Sequence, residues 1–262
     1  MSGAKQEPRV DLPGRPPYGM MEHREYPPGP EQPSRRGPAR IRIPPGGILG
    51  PFPIAPFVSP ANRRSAMRVL VTGVRGQLGS ALEKALAGQE VLGLDLPEHD
   101  ITDPALGKTL RALSPEVVIH TAGYTDVDGC ARDPERALRI NALGTQNVAL
   151  ACQEIGAVLL YVSTNEVFPG DRTEPYLEYD PPRPINPYGY SKWVGERYVE
   201  QICSRFYIVR TSWLFGGRRS FVTKILARSQ EPGELAVVDD EFGCPTYAPD
   251  LAEALIRLIE SG

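Results

Sequence analysis

The chain is short of cysteine: four occur, at 130, 152, 203 and 244, and no two form a C-x-x-C pair. That spacing fits neither a zinc site nor a dithiol redox centre, and no metal is expected. Isolated thiols of this kind serve as reduced packing residues, which points to the cytoplasm. Long apolar runs are also missing, so no bilayer span is expected. The N-terminus lacks the positive-then-apolar layout of a secretory signal. Nor does one sign of charge dominate. Lys and Arg number 29 against 32 Asp and Glu, interspersed along the chain, so neither nucleic acid nor an anionic membrane is expected as a partner.

Composition breaks near residue 66. Residues 1–66 are dense in Pro, Gly and Arg, as in Pro27-Pro28-Gly29-Pro30, and show no helical or strand periodicity. Such a segment buries too little apolar surface to offset its ordering entropy, and disorder is expected. Two other readings stay open. It is a Pro-rich ligand for a partner domain, or, since Met67 opens the first strand, an upstream translation absent from the mature protein.

Residues 67–262 alternate β-branched runs with amphipathic stretches. Strands are expected at 67–72, 90–94, 117–121, 157–163 and 206–211. Helices are expected at 77–87, from the Asp103-Pro104 cap to about 113, over 134–155, and over 187–204. Alternation of this kind means βαβ units and a parallel sheet. The fold class is therefore α/β, a doubly wound Rossmann-like sheet.

Directly after the first strand stands Gly73-Val74-Arg75-Gly76-Gln77-Leu78-Gly79, a G-x-x-G-x-x-G turn opening a helix. Glycines here permit a tight turn and let the backbone approach a pyrophosphate, while the helix N-terminus supplies oriented N–H groups. Asp95 ends the second strand about twenty residues later, where a dinucleotide fold meets the adenosine ribose. A carboxylate accepts from ribose hydroxyls and repels a 2′-phosphate. Residues 96–99 bring no arginine, which by itself favours NADH over NADPH. Asp95 as a plain loop residue is the other reading.

Tyr188 and Lys192 stand at i, i+4 in a predicted helix and so share one face. A free phenol titrates near about 10, and a nearby ammonium favours the phenolate. Bringing it to neutrality takes roughly 4 kcal/mol. Tyr190 lies two residues from Lys192, on another face, so Tyr188 is the better proton donor. A hydroxyl of Ser163-Thr164, ending the fourth strand, could hold a substrate carbonyl in line.

These motifs resemble the extended short-chain dehydrogenase/reductase family and, within it, the dTDP-4-dehydrorhamnose reductase group. The resemblance runs from about residue 67 to 262. It is carried by GVRGQLG at 73–79, DITD at 100–103, AGYTDVD at 122–128, STNEVFPG at 163–170 and PYGYSK at 187–192. RTSWLFG at 210–216 and DDEFGCPTYAPDLA at 239–252 lie outside the general cofactor core and are the most specific.

The resemblance implies that Gly76, Gln77 and Leu78 line the pyrophosphate, that Asp95 meets the ribose, and that Asp100 and Ile101 meet the adenine. Ala122, Gly123 and Tyr124 would border the cofactor. Thr164 would polarise the keto group, Tyr188 donate the proton, and Lys192 bind the nicotinamide ribose. Asn165 and Trp213 would face the sugar nucleotide; core packing is the alternative for Trp213. The implied reaction is NADPH- or NADH-dependent reduction of the C4 keto group of a nucleotide-linked 6-deoxy-4-keto sugar, most specifically dTDP-4-dehydro-L-rhamnose to dTDP-L-rhamnose. Substrate elements would lie mainly in 165–190 and in a small C-terminal lobe, 212–262.

The chain departs from the family at Asn165 and Glu166, where an aspartate and a tyrosine are usual. Ala81 stands where some members carry a magnesium-binding acid, so metal is not carried over. The chain also stops where relatives add a strand and helix, so an incomplete lobe is expected. Oligomeric state is left open, a homodimer included. Two rivals remain. One is a nucleotide-sugar 4,6-dehydratase or epimerase, though Asn165 lacks the acid a dehydratase needs. The other is a non-catalytic dinucleotide-binding subunit like that of methionine adenosyltransferase.

Overall fold

A computed structural model describes residues 66–217, 220–233, 241 and 243–261. The N-terminal Pro/Gly-rich segment lies outside the described residues, as do positions 239, 240 and 242 of the last motif.

The elements run β1 (Arg68–Thr72), α1 (Gln77–Ala85), β2 (Glu90–Leu94), α2 (Leu106–Leu113), β3 (Val117–His120), α3 (Val127–Arg132) and α4 (Pro134–Ala137). A π-helical stretch (Leu138–Gly144) leads into α5 (Thr145–Ile155) and β4 (Val158–Thr164). A 3₁₀ turn (Asn165–Val167), α6 (Pro187–Ile202), β5 (Phe206–Thr211), β6 (Leu214–Phe215), α7 (Phe221–Arg228), β7 (Thr246–Tyr247) and α8 (Ala248–Ser261) complete them. The main sheet has five strands in the order β2-β1-β3-β4-β5, with every neighbour pair parallel. The order reverses between β1 and β3, and ligands of doubly wound sheets gather at the carboxyl ends of strands beside such a switch point.

Both faces of the sheet are covered because alternate β1 residues point opposite ways. Leu70 packs with Leu106, Leu110, Val148, Cys152 and Val199 beneath α2, α5 and α6. Val69 and Val71 pack with Leu78, Leu82, Ala252 and Leu255 beneath α1 and α8. The Val and Leu side chains among these contribute about 1.5–3 kcal/mol each.

Two expectations shift. The helix expected from Asp103 begins at Leu106, because Asp103 first closes a separate turn: its carboxylate accepts from the Ala105 N–H (2.8 Å) and its carbonyl from that of Leu106 (3.0 Å). The single helix expected over 134–155 is interrupted by the π-helical stretch. There Gly144 leaves room for the Ile101 side chain, which stands 2.8 Å from where a Cβ would be. Within 212–262, β6 and β7 form a parallel pair, and Ala252 and Leu255 of α8 pack into the core beside α1.

Candidate active site

The cradle is built from close backbone approach. A Cβ on Gly79 would sit 2.2 Å from the Gly73 carbonyl oxygen, and one on Gly73, at φ +72°, 2.8 Å from the Ala122 nitrogen. Gly76 donates to the Gly73 carbonyl (2.9 Å) and opens α1. No side chain caps that N-terminus, so its first-turn N–H groups are left for an anion. Gln77 accepts from the Gly217 N–H (3.2 Å) and ties the cradle to the C-terminal lobe. The Leu78 side chain is buried in the α1–α8 core, so only its backbone can meet a ligand.

Asp95 stands where expected, its carboxylate accepting from the N–H groups of Arg75 (2.7 Å) and Leu96 (2.8 Å). Residues 96–99 carry no arginine, yet one reaches this point from the glycine loop: Arg75 donates to the Leu96 carbonyl and, at 3.0 Å, to Glu98. The loop folds back over the end of β2, a proximity that sequence adjacency does not reveal. Asp100 caps its own turn, accepting from the N–H and hydroxyl of Thr102 (both 2.8 Å). Ile101 is buried in the core, so a ligand would meet the backbone of that turn rather than this side chain.

At the carboxyl ends of β3 and β4 the remaining groups converge. The Tyr188 phenol, on the first turn of α6, lies beside Thr164 at the end of β4. Burial pushes this phenol up to about 12, against the opposing pull of the Thr164 hydroxyl. The shift runs opposite to the expected lysine-lowered phenol: burial dominates, the Glu166 carboxylate adds to it, and only Thr164 opposes it. Lys192 is 5 % exposed. Its Nζ donates to the Val162 carbonyl (2.8 Å) and lies 4.2 Å over the Tyr161 ring. It also stands 3.9 Å from where a Gly123 Cβ would be, which brings lysine and cofactor wall together. Burial lowers the ammonium to about 7, with Glu196 opposing. Tyr190 is exposed and tilts against Trp193 (5.8 Å), so Tyr188 is the tyrosine at the site.

Asn165 is half-buried and accepts from the Thr164 hydroxyl at 3.4 Å. The Glu166 carboxylate accepts from the Asn186 amide (2.7 Å). Trp213 is not a core residue. It is 45 % exposed, its ring lies against Gly243, and its backbone takes φ +44°. A left-handed backbone under so bulky a side chain is a genuine outlier. The Ser163 hydroxyl, beside Thr164, is buried without a hydrogen-bond partner among the described residues.

Several residues here escaped the sequence reading. Asn141, in the π-helical stretch, accepts from the Tyr124 N–H (2.7 Å) and donates to the Tyr124 carbonyl and to Ser191 Oγ (both 2.9 Å). It therefore joins the wall loop carrying Ala122, Gly123 and Tyr124 to α6. Glu196, fully buried, holds Arg210 through two contacts (2.9 and 2.7 Å). Its place four residues after Lys192 was a usable signal; nothing in the sequence around Asn141 distinguished it.

A cradle at the switch point, with phenol, amine and hydroxyl gathered beside it, is a dinucleotide-enzyme arrangement, and comparison with known proteins narrows it. Residues 67–262 match the family model of the RmlD substrate binding domain. The chain belongs to the RmlD substrate binding domain family. Among the relatives of this RmlD chain, the spore coat polysaccharide biosynthesis protein SpsK of Bacillus subtilis is 40 % identical over 195 residues, covering 73 % of this chain and 69 % of that protein. The dTDP-4-dehydrorhamnose reductase of Escherichia coli is 36 % identical over 200 residues, 74 % of this chain and 67 % of that one. The crystal structure of the Bacillus anthracis dTDP-4-dehydrorhamnose reductase in complex with NADP superposes with a TM-score of 0.73 at 39 % identity, covering 76 % of this chain and 72 % of that one. The RmlD chain thus spans about two thirds of the length of the curated relatives it matches.

Proposed function

We propose that this RmlD-family chain reduces the C4 keto group of a nucleotide-linked 6-deoxy-4-keto sugar with NADPH or NADH, the specific substrate being dTDP-4-dehydro-L-rhamnose and the product dTDP-L-rhamnose. The observation that carries the reading is the meeting of Thr164, Tyr188 and Lys192 beside the Gly73–Gly79 cradle. Relatives named dTDP-4-dehydrorhamnose reductase, one of them bound to NADP, support the substrate class and the cofactor.

The residues present fit a dinucleotide. The cradle leaves no room for side chains, the α1 N-terminus is uncapped, and the Asp95 carboxylate stands against the glycine loop just past β2. Gly73, Gly76, Gly79 and the backbone of Gln77 and Leu78 would hold the pyrophosphate, and Asp95 the adenosine ribose. The turn at Asp100 and Ile101 would border the adenine. Ala122, Gly123 and Tyr124 would flank the nicotinamide half, with Lys192 on its ribose. The reduced nicotinamide supplies a hydride to the carbonyl carbon when bound. Residues of the chain do the rest. Thr164 donates a hydrogen bond that orients the C4 oxygen. Tyr188 gives that oxygen its proton as negative charge develops there. A phenol held near about 12 by burial stays protonated at neutral pH, as a donor in the reducing direction must. Asn165 and Trp213 would contact the sugar nucleotide.

The test is a panel of dTDP-, UDP- and GDP-linked 4-keto-6-deoxy sugars with each nicotinamide. Stoichiometric loss of reduced-nicotinamide absorbance with the dTDP substrate is expected. Turnover without net cofactor oxidation would instead favour a dehydratase or epimerase, and cofactor binding with no turnover a regulatory subunit.

A further inference from the structure

Beneath the site lies a buried histidine that the proposed chemistry does not use. His120, the last residue of β3, is fully enclosed. Its Nδ1 is 2.7 Å from the Thr72 hydroxyl and its Nε2 is 3.1 Å from that of Thr145, while its ring stacks on Tyr161 at 5.5 Å. The proton arrangement follows from the partners. The Thr145 hydroxyl has one proton, which goes to the Asn141 carbonyl (2.7 Å), so toward His120 it accepts. The ring therefore carries its proton on Nε2, and Nδ1 accepts from Thr72. Burial holds the ring neutral, lowering it to about 3, with the Lys192 ammonium acting the same way.

This chain of bonds connects the two halves of the site. Thr72 is the last residue before the glycine cradle, and its Oγ1 accepts from the Ala122 N–H at 3.4 Å. At the other end, Asn141 grips Tyr124 and donates to Ser191 Oγ, which in turn donates to the Tyr188 carbonyl (2.8 Å). Thr72, His120, Asn141, Thr145 and Ser191 are all buried. Buried polar groups that are fully satisfied rigidify and specify one arrangement, whereas apolar side chains would fill the space with less desolvation cost.

We propose that His120 is a positioning residue: its neutral ring clamps the end of β1 to the π-helical stretch and, through Asn141, sets where Tyr188 and Lys192 stand relative to the cofactor wall. This rests on the reductase reading for its kinetic consequence, not for its geometry.

The test pairs His120→Phe, which keeps a ring and removes both hydrogen bonds, with Thr145→Val and Thr145→Ser in the full chain. Misplacing a catalytic group by a fraction of an ångström costs rate more than binding, so His120→Phe and Thr145→Val should each lower kcat about 10- to 100-fold with KM changed less than about twofold. The double variant should fall no further than the worse single one, and Thr145→Ser should retain the wild-type rate. Multiplying losses, or a wild-type kcat in Thr145→Val, would overturn the proposal. If His120→Phe does not fold, the Val/Ser pair at position 145 still decides it. A wild-type protein without keto-sugar turnover would sink the reductase reading alone. The clamp is then tested by imidazole ¹⁵N spectra, in which an Nε2–H tautomer unchanged between about pH 5 and 8 is expected. An Nδ1–H or titrating ring overturns it.

Discussion

Burial and the Thr164 hydroxyl pull the Tyr188 phenol in opposite directions, and burial wins. Tyr188→Phe removes the transferable proton and little else. Its kcat should fall about 10²- to 10⁴-fold, with dinucleotide affinity, read by fluorescence titration, close to wild type. The buried Lys192 ammonium, lowered to about 7, makes a different forecast. It is charged below that value and neutral above, so dinucleotide affinity of the free protein should weaken as pH rises through about 7. That dependence should vanish in Lys192→Met. Arg75 lies beside Asp95, where a 2′-phosphate would stand. Arg75→Ala should raise the Kd for NADPH about tenfold, the scale of one charge-assisted hydrogen bond, and leave NADH nearly unchanged. The placement of Thr164, Tyr188 and Lys192 was legible because spacing on one helix and position at a strand end are local facts. Arg75 was not, since its part depends on a loop folding back onto the end of β2.

Among the elements, strands were read more accurately than helix interiors. Short β-branched runs bounded by turn residues leave little freedom, and β2 and β5 fall on the expected residues. The π-helical stretch was invisible because its apolar residues recur as they would in an α-helix. The difference lies in the backbone hydrogen bonds of Leu138–Gly144, which span five residues instead of four. That stretch meets α6 at Gly195, where a Cβ would stand 2.6 Å from the Tyr161 hydroxyl and 2.8 Å from the Asn141 carbonyl oxygen. A backbone carbonyl inside a helix cannot swing aside. Gly195→Ala should therefore push α6 outward, costing about 1–3 kcal/mol in urea unfolding and lowering kcat together with stability.

For the molecule as a whole, the enclosed His120 ring sets an acid limit. Its proton affinity in the native state is depressed to about 3, whereas the unfolded chain binds a proton at about 6.5. Between those values the unfolded state holds the extra proton, so stability is complete above about 6.5 and declines as pH falls, by up to about 1.4 kcal/mol per pH unit. Urea unfolding at descending pH should show this slope, and His120→Gln should lack it. The doubly wound architecture was legible from the alternation of elements alone. The β6–β7 pair was not legible, because these strands have two residues each and leave no periodicity to read.

The two tryptophans of the chain differ in their surroundings. The Trp193 indole nitrogen is buried, while Trp213 stands 45 % exposed on its left-handed backbone beside Gly243. A collisional quencher such as iodide will therefore reach one emitter far more readily than the other. The quenchable share of the native fluorescence becomes a label-free gauge of the small lobe, and any ligand that seats against the indole should shield it.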